Sequence, residues 1–144
     1  MKILYTDEMN CGLSYEFFTL AAEAVFNELD MSNSEYEISL LITDDETIRL
    51  YNKEYRNKDI ATDVLSFPMK DDVMLGDIAI SYDTAKRQAE EADINIDRET
   101  AFLFIHGLLH LLGYDHEISK EDEEEMFALQ EKILKKLIDY GSVS

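Results

Sequence analysis

The stretch RETAFLFIHGLLHLLGYDH, residues 98–116, decides how the rest of the chain is read. From Ala101 to Leu112 it is almost wholly apolar, interrupted by two histidines. Such a run is too short to cross a bilayer, which needs about twenty apolar residues. It is therefore expected as a core helix over Arg98 to Leu112. Asp97 can cap its start, and Gly113 suits the turn that ends it.

Working outward, the last helix begins at Ser119, which with Asp122 resembles a capping box, and runs to about Tyr140. Its acidic start and its Lys132, Lys135 and Lys136 end both suit the helix dipole. Met126, Leu129, Ile133 and Leu137 form its core stripe. Before the central helix, Ser81 or Asp83 can cap a helix to about Ala92. Asp63–Phe67 and Met74–Ser81 read as two strands joined by the polar turn Lys70-Asp71-Asp72. Further upstream, Asp44 can cap a helix over Asp45–Tyr55, with Ile48, Tyr51 and Tyr55 as its apolar stripe. Tyr36–Ile42 alternates as a strand, Ser14–Leu29 has apolar residues at helical spacing, and Lys2–Tyr5 is a short strand. The order β-α-β-α-β-β-α-α-α predicts an α+β fold, a four-stranded sheet covered by about five helices. There is no linker, repeat or low-complexity segment, so residues 1–144 are expected as a single domain.

A chain of 144 residues with 46% hydrophobic and 10% aromatic residues can build an ordinary core without disulfides. Cys11 is the only cysteine, which excludes an intrachain disulfide and a cysteine-rich zinc site. The 13 basic residues against 32 acidic ones leave a net charge of −19. That argues against a general nucleic-acid coat protein or a basic membrane-surface protein, both of which need cationic faces. Acidic residues by Asp7 and no apolar stretch behind Lys2 exclude a signal peptide, so a soluble, cytoplasmic protein with no membrane partner is expected.

All three histidines fall in one block: His106, His110 and His116. His106 and His110 are four apart, on the same face of a helix. The turn at Gly113 lets His116 fold back towards them. Two neutral imidazoles in so apolar a helix would be costly to bury without partners, and a metal ion uses their lone pairs. The expected cofactor is one Zn2+, with Ni2+ or another divalent ion as an alternative. Three neutral ligands leave an open fourth position, as in catalytic zinc sites. Asp115, Glu117 and Cys11 are candidate fourth ligands, and Asp115 is more readily a residue that orients one.

The histidines and Gly113 match the metzincin spacing H-E-x-x-H-x-x-G-x-x-H. Gly107 stands where those peptidases carry their glutamate base, so amide hydrolysis lacks its proton acceptor. The one basic segment is RLYNKEYRNK, Arg49 to Lys58. Arg49, Lys53 and Arg56 share a helical face, either a solvated face balancing nearby acids or an anion site for phosphate.

Taken together, YRNKDIATDVLSFP (Tyr55–Pro68), LGDIAIS (Leu75–Ser81) and HGLLHLLGYDH (His106–His116) resemble the YbeY-type endoribonuclease family of rRNA maturation factors. The blocks agree in order and spacing and span most of the chain. The resemblance implies a small mixed sheet with helices and a zinc site at His106, His110 and His116. It implies a functional arginine at Arg56, which would hold a phosphate, with Lys53 and Lys58 extending the track along the RNA backbone. It further implies a metal-dependent, single-strand-specific endoribonuclease acting in 16S rRNA 3′-end maturation and ribosome quality control. Its partners would be single-stranded RNA, ribosomal RNA and the small ribosomal subunit. Asp59, Asp63, Asp77 and Asp115 are all possible proton acceptors. Two other classes stay open: a ribosome-assembly binding module with a structural zinc, and a metallohydrolase of another substrate.

Overall fold

The computed structural model describes residues 1–69, 71–114 and 119–144. Among these, the strands are β1 (Lys2–Asp7), β2 (Glu37–Thr43), β3 (Val64–Pro68) and β4 (Met74–Ser81). The helices are α1 (Tyr15–Glu28), α2 (Asp45–Arg56), α3 (Tyr82–Ala92), α4 (Ile96–Leu111) and α5 (Lys120–Asp139). The element order and the α+β class are those expected from the sequence.

The sheet order is β1-β2-β4-β3. β1 and β4 both run parallel to β2, whereas β3 closes the predicted hairpin antiparallel to β4, so the sheet is mixed. β3 is therefore an edge strand, where Pro68 is tolerated because no ladder needs its missing N–H. Asp71 shapes the hairpin by accepting from the Val73 backbone N–H at 2.8 Å. Lys70, the first residue of that predicted turn, lies outside the described residues.

Alternation along the strands gives the sheet two apolar faces. Ile38, Leu40, Ile42, Ile78 and Ile80 point into the main core with Phe18, Phe104 and Leu108. Leu65 and Ala79 point the other way, into a smaller cluster with Ile48 of α2. The main face carries α4, which also packs against α1, α3 and α5. That enclosure explains a helix apolar on almost every side: Leu103, Phe104, Ile105, Leu108 and Leu109 are all buried. Each such side chain contributes about 1.5–3 kcal/mol of burial.

Four helices begin on a side-chain cap. Ser14, Asp44, Ser81 and Ser119 accept from the backbone N–H three residues on. Ser81 rather than Asp83 caps α3; Asp83 instead accepts from the Asp45 N–H at 3.1 Å. The expected Asp97 cap of α4 is displaced. Asn95 occupies the cap without a side-chain bond, and Asp97 accepts from the Arg98 and Ser144 N–H groups. Gly113 does take the predicted left-handed turn, at φ 102°.

Candidate active site

α2 and α4 lie on opposite faces of the sheet, and edge strand β3 runs between them. A cleft of about 760 Å³ opens along that edge. Arg56, Lys58, Asp63 and Ser66 line it from the α2 and β3 side, and His106 and His110 from α4. The segment after α2 is held in place by Asn52. This buried side chain donates to the Ile60 carbonyl at 2.9 Å, and the Asn52 backbone carbonyl accepts from the Lys58 N–H at 3.1 Å. Asn52 takes the buried position of the α2 stripe together with Ile48. Tyr55, expected in that stripe, is instead 62% exposed.

The predicted histidine pair converges. The Nε2 atoms of His106 and His110 are 3.0 Å apart, with ring centroids at 4.6 Å. Two imidazole nitrogens on one tetrahedral zinc at ~2.0–2.1 Å would lie roughly 3.3 Å from each other. The observed spacing is within a few tenths of an ångström of that. On the other side of the His106 ring, Nδ1 lies 3.3 Å from Gln130 Oε1 on α5. An amide oxygen only accepts, so this contact suits the tautomer with its proton on Nδ1, which directs the Nε2 lone pair at its neighbour. This is how a metal-binding imidazole is oriented. The donor set fits a divalent ion.

The third predicted ligand, His116, lies outside the described residues, as do Asp115 and Glu117. Among the described residues there is no group of three metal-capable side chains. Cys11 is engaged elsewhere, 3.4 Å from the Tyr5 hydroxyl near the N-terminal strand.

Gly107 proves to be a packing requirement. Its position faces the sheet, and a Cβ there would lie 3.0 Å from Ile78 Cγ2 and 3.1 Å from Ser66 Oγ. Its carbonyl accepts from Ser66 Oγ at 3.2 Å. A side chain at this point of helix–sheet contact would press on the Ile78 side chain and the Ser66 hydroxyl, both of which would have to shift.

Arg56 ends α2 and reaches the edge strand. Its Nη2 donates to the Ser66 carbonyl at 2.9 Å, and its guanidinium carbon sits 5.8 Å from the Phe67 ring centroid. One bond and one ring contact hold a five-donor fork in the cleft wall. The other basic residues divide. Lys58 lines the cleft. Lys53 does not, and its ammonium is 4.0 Å from Asp59. Arg49 donates to Asp59 at 2.7 Å and to Glu46 at 3.0 Å, so it is engaged by carboxylates.

The candidate proton acceptors also separate. Asp59 is held by Arg49. Asp77 points to the α2 face of the sheet, away from the histidines. Asp63 lines the cleft, accepting from the Val64 N–H at 2.8 Å and from Gln88 at 3.3 Å. Near it, burial and then the charge of Asp63 push the Glu99 carboxyl above its ordinary value. The sequence did not reveal Gln130, Asn52 or Ser66 as site residues. The one available signal was a glutamine in an otherwise apolar stripe of α5.

This small α+β domain sets a histidine-bearing core helix against an arginine across a sheet edge. Comparison with known proteins defines it further. The family model described as Endoribonuclease YbeY matches residues 8–138. A Sulfurihydrogenibium protein named Endoribonuclease YbeY is 46% identical over 141 residues, covering 94% of this chain and 89% of its own. A Nautilia profundicola protein of the same name is 50% identical over 125 residues, covering 85% of each. A solution structure from Thermotoga maritima superposes with a TM-score of 0.69 at 25% identity, over 97% of this chain and 92% of its own. The chain belongs to the endoribonuclease YbeY family.

Proposed function

We propose that the protein is a metal-dependent, single-strand-specific endoribonuclease. It acts in 3′-end maturation of 16S rRNA and in ribosome quality control, in the cytoplasm and on the small ribosomal subunit. Membership of an endoribonuclease family supports the nuclease role. The observation that carries the metal dependence is the convergence of His106 and His110 Nε2 atoms in the same cleft as Arg56. No described helix is long and apolar enough to cross a membrane.

His106, His110 and His116 would hold one divalent ion, Zn2+ or a similar metal. When bound, it supplies a Lewis acid for a phosphoryl oxygen and lowers the pKa of water towards neutrality. Gln130 keeps the His106 ring in the tautomer that binds. Arg56 holds the scissile or adjacent phosphate and stabilises charge growing on its oxygens, for which its planar fork is suited. Lys58 follows the backbone from the same wall of the cleft, and Lys53 extends the track beyond it. Asp63 is the best-placed of the carboxylates to accept a proton in the cleft. An unpaired strand can thread a narrow cleft beside a buried helix, whereas a duplex cannot.

Incubating metal-loaded and chelated protein with a single-stranded RNA, a duplex of the same sequence and casein tests this. Cleavage of the single strand alone, lost on chelation and restored by metal, is the expected result. Full RNA cleavage by a folded His106→Ala protein would overturn it.

A further inference from the structure

The second face of the sheet is only partly covered. α2 closes the row Leu41–Ala79–Leu65 with Ile48, but the adjoining row is left open. In that row Ser39 lies opposite Asp77, and Asp77 opposite Phe67. A groove of about 400 Å³ runs over it, walled by Tyr51 and Tyr55 of α2. The rings form a series. Tyr51 and Tyr55 are 6.2 Å apart by centroid, and Tyr55 meets Phe67 edge-on at 5.5 Å. Tyr55 is 62% exposed, although it stands beside a groove whose floor is partly apolar.

This groove and the cleft share no lining residue but meet across the sheet edge at Arg56. Phe67 and Ser66 are neighbours on β3 whose side chains point to opposite faces. The Arg56 guanidinium touches both, bonding the Ser66 carbonyl and lying over the Phe67 ring. A strand whose phosphate sits at Arg56 therefore crosses the sheet edge with one adjacent base beside Tyr55 and Phe67. Resting on the endoribonuclease reading of the cleft, we propose that this aromatic groove is a base subsite, which stacks one unpaired nucleobase next to the bound phosphate. Stacking on exposed rings tolerates every base, because each has a π-face. Asp77 adds a bias. A carboxylate only accepts, so it complements an edge rich in N–H donors. Guanine, with N1–H and N2–H side by side, fits it best, and uracil, whose N3–H is flanked by carbonyls, fits least. The acidic floor also disfavours a second phosphate in the groove, which commits it to a base.

The test uses stopped-flow mixing of the metal-loaded protein with single-stranded oligoribonucleotides carrying 2-aminopurine, read first for quenching on binding and then for cleavage. An abasic residue is moved along the oligonucleotide one position at a time. Wild type, Tyr55→Ala and Tyr55→Phe are compared, with melting followed on each. At one position next to the cleaved bond, the abasic substitution should weaken wild-type binding about ten- to a hundredfold. Tyr55→Ala should lose the same factor with a full base present and nothing more with the abasic strand. Tyr55→Phe should restore it. Asp77→Asn should erase the preference for guanine over uracil at that position. If wild type cleaves RNA while Tyr55→Ala binds every strand equally well, the subsite is wrong and the nuclease reading stands. Should the coupling appear without any cleavage, the subsite stands and the nuclease reading falls. Neither binding nor cleavage by wild type overturns both.

Discussion

Arg56 and Gln130 each concentrate a testable role in one side chain. Among the described residues the Arg56 side chain makes one hydrogen bond, from an exposed position, so Arg56→Ala should fold and bind metal normally. Its single-turnover cleavage should fall by about 2–4 kcal/mol of transition-state stabilisation. Arg56→Lys should recover only part, because a point charge cannot fork onto two phosphate oxygens. Arg49→Ala should cost binding less than about 1 kcal/mol, since Arg49 is 39% exposed and already paired with Glu46 and Asp59. Wild-type cleavage by Arg56→Ala, with a defect in Arg49→Ala, would mean the phosphate is held elsewhere. Gln130 acts through His106. Gln130→Ala should weaken zinc binding by roughly 10–100-fold, measured by competition with a chromophoric chelator. Gln130→Glu should hold it, because a carboxylate still accepts from Nδ1. Equal affinity in all three proteins would show that α5 does not orient the ring.

Where an element meets its neighbour, Gly107 is the sharpest case. Gly107→Glu, the change that would rebuild the peptidase motif, should destabilise the protein by about 3 kcal/mol or more. It forces volume and an unpaired charge into the α4–sheet contact. Denaturant melts measure this, and a casein digest should show no proteolysis from the wild type or the variant. The sequence revealed that Gly107 is not a base, but not that the sheet touches it there; such closeness depends on how α4 crosses β3 and β4. The same division runs through the other elements. Strand and helix order, the hairpin, the histidine pair and the cap residues Asp44 and Ser119 were legible from spacing and local chemistry. The β2–β4 pairing was not, because it joins segments separated by α2 and β3. Asn52 and Gln130 were not either, because a buried amide is recognised by the carbonyl or imidazole it meets. At α2, tertiary packing reassigned the stripe. The polar Asn52 went inside to bind Ile60, and the apolar ring of Tyr55 was left out.

At the scale of the whole molecule, the net charge of −19 sets both stability and affinity. α1 and α5 are joined by Glu28, whose side chain accepts from Lys132 and Lys136. These bonds, Lys132 first, hold its carboxyl below the ordinary value. Hydrogen bonds from Ser81, Thr84 and Arg87 likewise outweigh burial at Asp45 and lower its carboxyl. Groups depressed in the folded state stabilise it above their unfolded pKa, and that stability is lost as pH falls through the folded value. The melting temperature should thus decline below about pH 4. Glu28→Gln should melt lower than wild type at pH 7, and the two curves should meet near pH 2; parallel curves would sink the assignment. RNA binding should show a shallow salt dependence. With two or three phosphate contacts, the logarithmic slope on a single strand is about −1.4 to −2.1. A slope of −5 or steeper would require a longer cationic track than Arg56, Lys58 and Lys53 provide.

The site is assembled from distant parts of the chain. Its arginine wall comes from Asn52 to Ser66, its histidine wall from α4, and the amide beside the His106 ring from α5. During synthesis from the N-terminus, the sheet is complete at Ser81, before the first histidine has been added. A nascent chain ending short of residue 130 carries the arginine and the imidazoles without their orienting amide. On the proposed reading, the site is therefore complete only once α5 has been added.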